Sequence, residues 1–448
     1  MEEVPETRYA RTPDGLHIAY HVVGDGPVDL VFSPEWVTHV EASWEHPLMA
    51  RVGWRVASFS RVIEFDKRGI GLSDRVAPSE VPSLEAWVED LKAVLDSIGS
   101  ERAVILGSGH GGQLAMLFGV THPERTAGLV LVNAYARLAS APDYEFGYPP
   151  AIQEFVLAKD EAEWGTTGWV VDYLAPSLAG DPTVKEWFAR MERLACTPGT
   201  GVRMQRAVYE QDVRSILGSI CVPTLVMHTV DNRHVRVEHG RYLAGHIPGA
   251  RYVELPGDDH WFVFGPSGEP ALMEIAGFVG AVPQAVEPDR QLTTILFTDV
   301  VDSTRLARDF GDRRWHDLLD RLDDLVRRTV ERFGGRVVKS TGDGHLASFD
   351  GPGRAIRCAR FIADGAQALG MQLRCGIHTG EIERRGDDVA GIAVHLAQRV
   401  SALAVAHEVL VSRTVVDLVA GSGIQFEDRG ERELKGLPAK WRLFRVVD

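Results

Sequence analysis

Two short acidic motifs in the second half of the chain carry its strongest chemical pattern. In Phe297-Thr298-Asp299-Val300-Val301-Asp302-Ser303-Thr304, an apolar run of strand type (Thr294 to Phe297) ends in carboxylates. It then enters a helix, where the hydroxyls of Ser303 and Thr304 suit an N-cap. In Lys339-Ser340-Thr341-Gly342-Asp343-Gly344, an aspartate stands between two glycines, which reads as a hairpin tip. The glycines permit positive φ and let backbone amides approach an anion closely. Carboxylates at two neighbouring strand–loop junctions form the oxygen donor set that hard divalent cations take together with substrate phosphates. The pattern is the outline of a two-metal phosphate site.

These residues resemble the class III nucleotidyl cyclases from about Leu292 to the C-terminus. In that family two metal-binding aspartates lie in a strand-end Phe-x-Asp motif and in a Gly-Asp-Gly hairpin, here Asp299 and Asp343, with Val300 beside the first in the metal set. The resemblance makes Lys339 and Asp388, the latter in Asp387-Asp388-Val389-Ala390-Gly391, the pair that reads the base. His395 stands where the family usually has an asparagine that holds the ribose and transition state. Arg399 stands at the arginine that neutralises developing phosphate charge. Gly376-Ile377-His378-Thr379-Gly380-Glu381 and Glu433-Leu434-Lys435-Gly436-Leu437 extend the likeness.

The implied reaction joins a 3′-hydroxyl to its own α-phosphate with loss of pyrophosphate. It demands in-line positioning and neutralisation of spreading negative charge. The resemblance implies two ions, Mg²⁺ or Mn²⁺, per active site on Asp299 and Asp343, with Arg399 as a fixed cation. Lys339 and Asp388 offer a donor and an acceptor that suit adenine, so ATP is the expected substrate. His395 is the departure from the family pattern. Imidazole donates a hydrogen bond as an amide does, but its charge changes near pH 6.5 when unperturbed. Either activity becomes pH-dependent or His395 is simply a helix-surface residue beside the site. His345, just after Gly344, reads as a strand residue.

The elements that must position these groups follow from the chain as a whole. At 448 residues and 45% apolar content, it has material for two or three domains with their own cores. No run of about eighteen apolar residues occurs, and Met1-Glu2-Glu3-Val4-Pro5-Glu6 lacks the features of a secretion signal. A cytoplasmic protein is expected. Cys196, Cys221, Cys358 and Cys375 lack metal-ligand spacing and read as free thiols. The net charge of −15 is uneven: residues 1 to 290 hold 24 basic and 40 acidic groups, and residues 291 to 448 hold 24 and 23. Such acidity disfavours nucleic acid and anionic membranes as partners.

From residue 8 to about 280, short apolar strands alternate with helices: Asp29 to Phe32, Val62 to Phe65, Val104 to Leu106, Gly128 to Val132, Thr224 to Met227 and Arg251 to Leu255. That order predicts a mostly parallel sheet wound by helices. Leu84, Val88, Leu91, Val94, Leu95 and Ile98 recur at helical spacing and must cover it. Between about 150 and 217 a helical stretch with Trp164, Trp169 and Trp187 reads as a cap over a cleft. The segments Asp66-Lys67-Arg68-Gly69-Ile70-Gly71-Leu72-Ser73-Asp74 and Leu255-Pro256-Gly257-Asp258-Asp259-His260 resemble the α/β-hydrolases, and more narrowly the hydrolase-like domains fused ahead of bacterial cyclase domains.

Active members of that family place a serine at the centre of Gly-x-Ser-x-Gly, followed by an acid and a histidine. Here the elbow reads Gly107-Ser108-Gly109-His110-Gly111, so Gly109 takes the nucleophile's position and Ser108 falls one residue early. Asn232 fills the acid position, with Asp231 adjacent, and His260 stands in place. Ser33-Pro34-Glu35-Trp36 carries an acid where glycine is common. A histidine without a nucleophile has nothing to activate.

The expected organisation is an α/β-hydrolase fold over 1–282 with a helical cap, degenerate in catalysis, a linker over 283–291, and an α+β, ferredoxin-like class III cyclase domain over 292–448. The expected function is an adenylate cyclase with sites at a homodimer interface, regulated by the first domain. That domain's cleft, with His110, His260 and tryptophans, would take a small apolar or ester-like ligand. A ligand-binding signalling protein with lost cyclase activity is the alternative, and a working esterase a third.

Overall fold

The computed structural model describes residues 4–77, 81–282, 290–340, 342–385, 388–434, 437 and 440–447. The chain divides into two compact units, Met1–Pro288 and Asp289–Asp448. Among the described residues no helix is long and apolar enough to cross a membrane.

The first unit is built on eight strands: β1 (Arg8–Arg11), β2 (His17–Val23), β3 (Asp29–Ser33), β4 (Arg61–Phe65), β5 (Ala103–Ser108), β6 (Thr126–Val132), β7 (Thr224–Thr229) and β8 (Arg251–Leu255). Their order is β1-β2-β4-β3-β5-β6-β7-β8. The strands from β3 onward pair in parallel, while β1 and β2 run antiparallel at one edge. The parallel strands are short apolar runs because both faces are covered, and Leu129, Val130, Leu131 and Val132 are all fully buried. Helix Leu84–Ser97 starts at Ser83, whose hydroxyl accepts from the Ala86 amide at 3.3 Å, and buries Leu84, Trp87, Val88, Leu91, Val94 and Leu95. It stops before Gly99, at φ 66°.

Between β6 and β7 the chain leaves the sheet for the cap helices Pro150–Glu163, Trp169–Leu174, Pro182–Ala195 and Pro198–Glu210. Three of these begin with proline, whose missing N–H costs nothing in the first turn. Val170 and Leu174 of the second of these helices and Val184, Trp187, Phe188 and Met191 of the third form an apolar cluster with Ala42.

The second unit has the strands β9 (Arg290–Val300), β10 (Arg336–Ser340), β11 (Gly344–Phe349), β12 (Leu373–Arg385), β13 (Asp388–Ala390), β14 (Glu408–Ser412), β15 (Gln425–Glu433) and β16 (Lys440–Val447). The order is β10-β11-β9-β12-β14-β16-β15, with β13 paired to β12. Alternation along β9 sorts the helices to two faces. Leu296 joins the core with helices Asp312–Arg332 and Pro352–Ala368, while Ile295 packs with Ala393 and Ala397 of helix Ile392–Leu403. Strand β9 begins at Arg290, inside the expected linker, because its register with β12 extends to the Arg290–Glu383 pair. Residues 283–289 of that linker lie outside the described residues, as do Lys435, Gly436 and Asp387.

Candidate functional site

Strand β9 carries Asp299 to the sheet's end, opposite Gly344 on one side and Arg374 on the other. The Val300 N–H donates to the Asp343 carbonyl at 3.2 Å, which fastens the hairpin tip to the end of β9. Gly342 turns that tip at φ 96°, where a side chain would be strained. Both aspartates are half-buried, and Val300 is buried in the core beneath them. Asp302 adopts a left-handed φ of 57° and its carbonyl accepts from the Arg305 and Leu306 amides. The expected cap therefore shifts by one residue: Asp302 is the boundary and Ser303 already lies in helix Ser303–Phe310. The two carboxylates are oxygen donors of the kind that hard divalent cations take.

One neighbour was not anticipated from sequence. The Arg374 guanidinium forks onto Asp299, with Nε 2.8 Å from Oδ2 and Nη2 on the same oxygen. A fixed cation offsets the charge that would otherwise repel the second carboxylate.

The remaining cyclase-type residues lie on β10, β13 and helix Ile392–Leu403. Lys339 is exposed on β10, opposite Leu346. The Asp388 backbone pairs with Arg385, and its side chain lies outside the described residues. His395 and Arg399 are exposed one turn apart on helix Ile392–Leu403. Among the described residues no hydrogen bond or ion pair joins Asp299 or Asp343 to His395 or Arg399. His345 is a buried strand residue, with Nε2 2.6 Å from Asp323 Oδ1.

In the first unit, β5 ends at Ser108 and turns through Gly109, at φ 48°, into helix Gly111–Thr121. A Cβ built on Gly109 would lie 2.7 Å from Glu35 Oε2 and 3.0 Å from His260 Nε2. The Glu35 carboxylate thus fills the space that a nucleophile's side chain would enter. Ser108 faces the adjoining cavity, and no hydrogen bond joins it to His260 among the described residues.

The histidine is also oriented the wrong way for a base. Asn232 Oδ1 accepts from the His234 and Val235 amides, each at 3.0 Å, which turns its Nδ2 toward His260 Nδ1 at 3.2 Å. An NH₂ donor there makes Nδ1 the acceptor and leaves the ring proton on Nε2. A working triad needs the opposite tautomer. Asp231, the adjacent acid, is exposed and takes no part in this contact.

His110 does not line the cleft as expected. It is buried, with Nδ1 3.1 Å from Lys67 Nζ and Nε2 2.8 Å from Gln211 Oε1. Lys67 lies 4.2 Å from the Trp87 ring centroid, and burial pushes its ammonium down to about 7. Of the three cap tryptophans, Trp187 reaches the cavity. Trp164 instead donates to the Glu192 and Cys196 carbonyls, and the Trp169 ring packs beside Tyr173 and Lys159.

Comparison with known proteins divides the chain the same way. Residues 57–262 match the family described as serine aminopeptidase, S33, and residues 286–446 match the adenylate and guanylate cyclase catalytic domain. The chain is 26% identical to strigolactone esterase D14 of Arabidopsis thaliana over 173 residues, covering 38% of this chain and 64% of that protein. It is 33% identical to putative adenylate cyclase 3 of Rhizobium meliloti (strain 1021) over 158 residues, 33% of this chain and 27% of that one. The alignments therefore span less than two thirds of these curated relatives. A solved hydrolase from Pseudomonas aeruginosa PA01 superposes with a TM-score of 0.51 at 26% identity, covering 62% of this chain and 100% of that structure.

Proposed function

Because this chain joins an α/β-hydrolase unit to an adenylate and guanylate cyclase catalytic domain, we propose that it converts ATP to 3′,5′-cyclic AMP and pyrophosphate. The observation that carries the reading is the fastening of Asp343 to the end of β9, 3.2 Å from Val300 N to Asp343 O, which brings it beside Asp299 within the matched cyclase segment. Asp299, Asp343 and the Val300 backbone would hold Mg²⁺ or Mn²⁺. When bound, such ions neutralise phosphate charge and lower the pKa of the attacking hydroxyl. Arg374 must then give up part of its hold on Asp299, so it acts as a stand-in cation when nucleotide is away.

Arg399 would present a fixed charge to the α-phosphate, and His395 a hydrogen bond to the ribose. Lys339 and Asp388 would read the adenine edge. Among the described residues no hydrogen bond or ion pair joins His395 or Arg399 to Asp299 or Asp343, which supports sites completed by the second copy of a homodimer. In this reading the first unit is not a hydrolase, since Gly109 stands at the nucleophile's position and Asn232 holds His260 in the wrong tautomer. Its role in this reading is to bind a small molecule and bias the cyclase.

The test is cyclic nucleotide formation by the full-length protein with ATP or GTP and Mg²⁺ or Mn²⁺, beside Asp343→Ala. Cyclic AMP from the intact chain alone is expected. Mixing Asp343→Ala with Arg399→Ala chains should restore about a quarter of the rate, since half the dimers are mixed and each keeps one of two sites. No activity under any condition would replace this reading with that of a binding protein. Cyclic GMP alone would reverse the base assignment.

A further inference from the structure

A cavity of about 220 Å³ lies between the β5 elbow and the cap, the space of roughly seven waters. Its walls are aromatic, with Trp36, Trp44, Trp187, Phe188 and Trp261 all facing it. Glu35 supplies its carboxylate at the elbow, seated over Gly109 in the space a side chain would have taken. Glu35 Oε1 is buried and has no hydrogen-bond partner. His260 Nε2, at 3.7 Å, is too far to provide one.

Among the described residues Glu35 has no ion pair with a lysine or arginine, and His260 Nε2 stands 3.7 Å from its Oε1. Lys67 is turned to His110 and Trp87 and forms no ion pair with Glu35 among the described residues. His234 also lines the cavity, and burial holds it well below the usual imidazole range, so it adds no cation. The other lining acid, Glu64, accepts from Trp44 Nε1 at 2.5 Å, and burial pushes its carboxyl up to about 7. A guest therefore meets several aromatic rings and the Glu35 carboxylate, whose Oε1 has no partner. Ring faces attract cations through their quadrupole, and a buried carboxylate oxygen without a partner is costly. A neutral apolar guest would leave that oxygen unsatisfied, and an anion would be repelled by it.

We propose that this cavity binds a small organic cation of the alkylated ammonium class, with its charge at Glu35 and its alkyl groups against the tryptophans. The proposal names the ligand class for the regulatory unit described above, and it rests on reading that unit as a ligand binder rather than a hydrolase.

The experiment is calorimetric titration of the full-length chain, without nucleotide, using choline, tetraethylammonium and 3,3-dimethylbutan-1-ol, the uncharged isostere of choline. Choline should bind at least about tenfold tighter than the alcohol, a difference of about 1.4 kcal/mol. Glu35→Gln should erase that preference, and Glu35→Asp should keep it at lower affinity. Should Glu35→Gln fail to fold by near-UV circular dichroism, Trp187→Leu serves instead and should weaken choline more than the alcohol. Equal binding of choline and the alcohol would overturn the proposal. So would an undiminished preference in Glu35→Gln, or the absence of heat with both cations at millimolar concentration. Cation binding that leaves the cyclase rate unchanged would uphold the site and overturn only the regulatory reading.

Discussion

Glu35 and Gly109 exclude a side chain at the elbow between them: a Cβ on residue 109 would sit 2.7 Å from Glu35 Oε2. Two departures from the hydrolase pattern that lie far apart in sequence are thus one structural change. Strands β3 and β5 bring them together, since Ser33 pairs with Gly107 just before each segment leaves the sheet.

Restoring a hydrolase should therefore need three substitutions rather than one. Gly109→Ser alone meets Glu35 and takes on a left-handed φ of 48°, and it should lower stability by about 1–3 kcal/mol with no gain of esterase activity. Adding Glu35→Gly relieves the clash and should recover much of that loss in thermal unfolding. Hydrolysis of p-nitrophenyl acetate should still be absent, because Asn232 keeps the His260 proton on Nε2. Adding Asn232→Asp reverses the tautomer, and the triple variant should exceed the double by roughly a hundredfold or more. A triple variant no faster than the double would show that the tautomer is not what blocks the reaction.

The parallel strands of the first unit are legible in the sequence because they are short apolar runs bounded by turns. The antiparallel edge is not legible in the same way: β1 has four residues, and β2, though seven long, follows it across the Thr12–Leu16 turn with little alternation of burial to mark it. At the candidate metal site the aspartates could be read from their motifs, but Arg374 could not. It meets Asp299 only through the register of β9 with β12, a long-range pairing that local pattern does not encode. The meeting of Glu35 with Gly109 was hidden for the same reason. The sequence pointed to each residue as unusual, and only the fold makes them neighbours.

Stability of the second unit should depend on pH through His378. It is buried, with Nδ1 2.7 Å from Ser412 Oγ, and burial lowers its pKa to about 4. The unfolded chain then binds a proton, near the ordinary 6.5, that the folded chain refuses. The contribution is complete above pH 6.5, declines as pH falls through that window, and is gone below about 4. Its full size is on the order of 3 kcal/mol. Urea unfolding at pH 7.5 and pH 5 should show a smaller loss in His378→Gln, which still reaches Ser412 without titrating. An equal loss in both proteins would assign the pH dependence to other groups.

Gly376 couples the packing of the second unit to its proposed chemistry. A Cβ there would lie 2.1 Å from the Ser401 amide nitrogen, so the β12 backbone and helix Ile392–Leu403 touch directly. That helix carries His395 and Arg399 on its exposed side, and Ala393 and Ala397 on its buried side. Gly376→Ala must push the helix off the sheet, at a cost of about 1–3 kcal/mol for overpacking. The displacement also moves Arg399 relative to the β9 end of the other copy, at the site the two would share, where a shift of about 1 Å is enough to cost on the order of a hundredfold in rate. Cyclic AMP formation should therefore fall by that order in Gly376→Ala at temperatures where circular dichroism shows the protein still folded. The comparison is Ala397→Gly, which removes a methyl from the same interface without lifting the helix and should lose stability with little loss of rate per folded molecule. Equal rates per folded molecule in the wild type and Gly376→Ala would mean that the helix position does not govern catalysis.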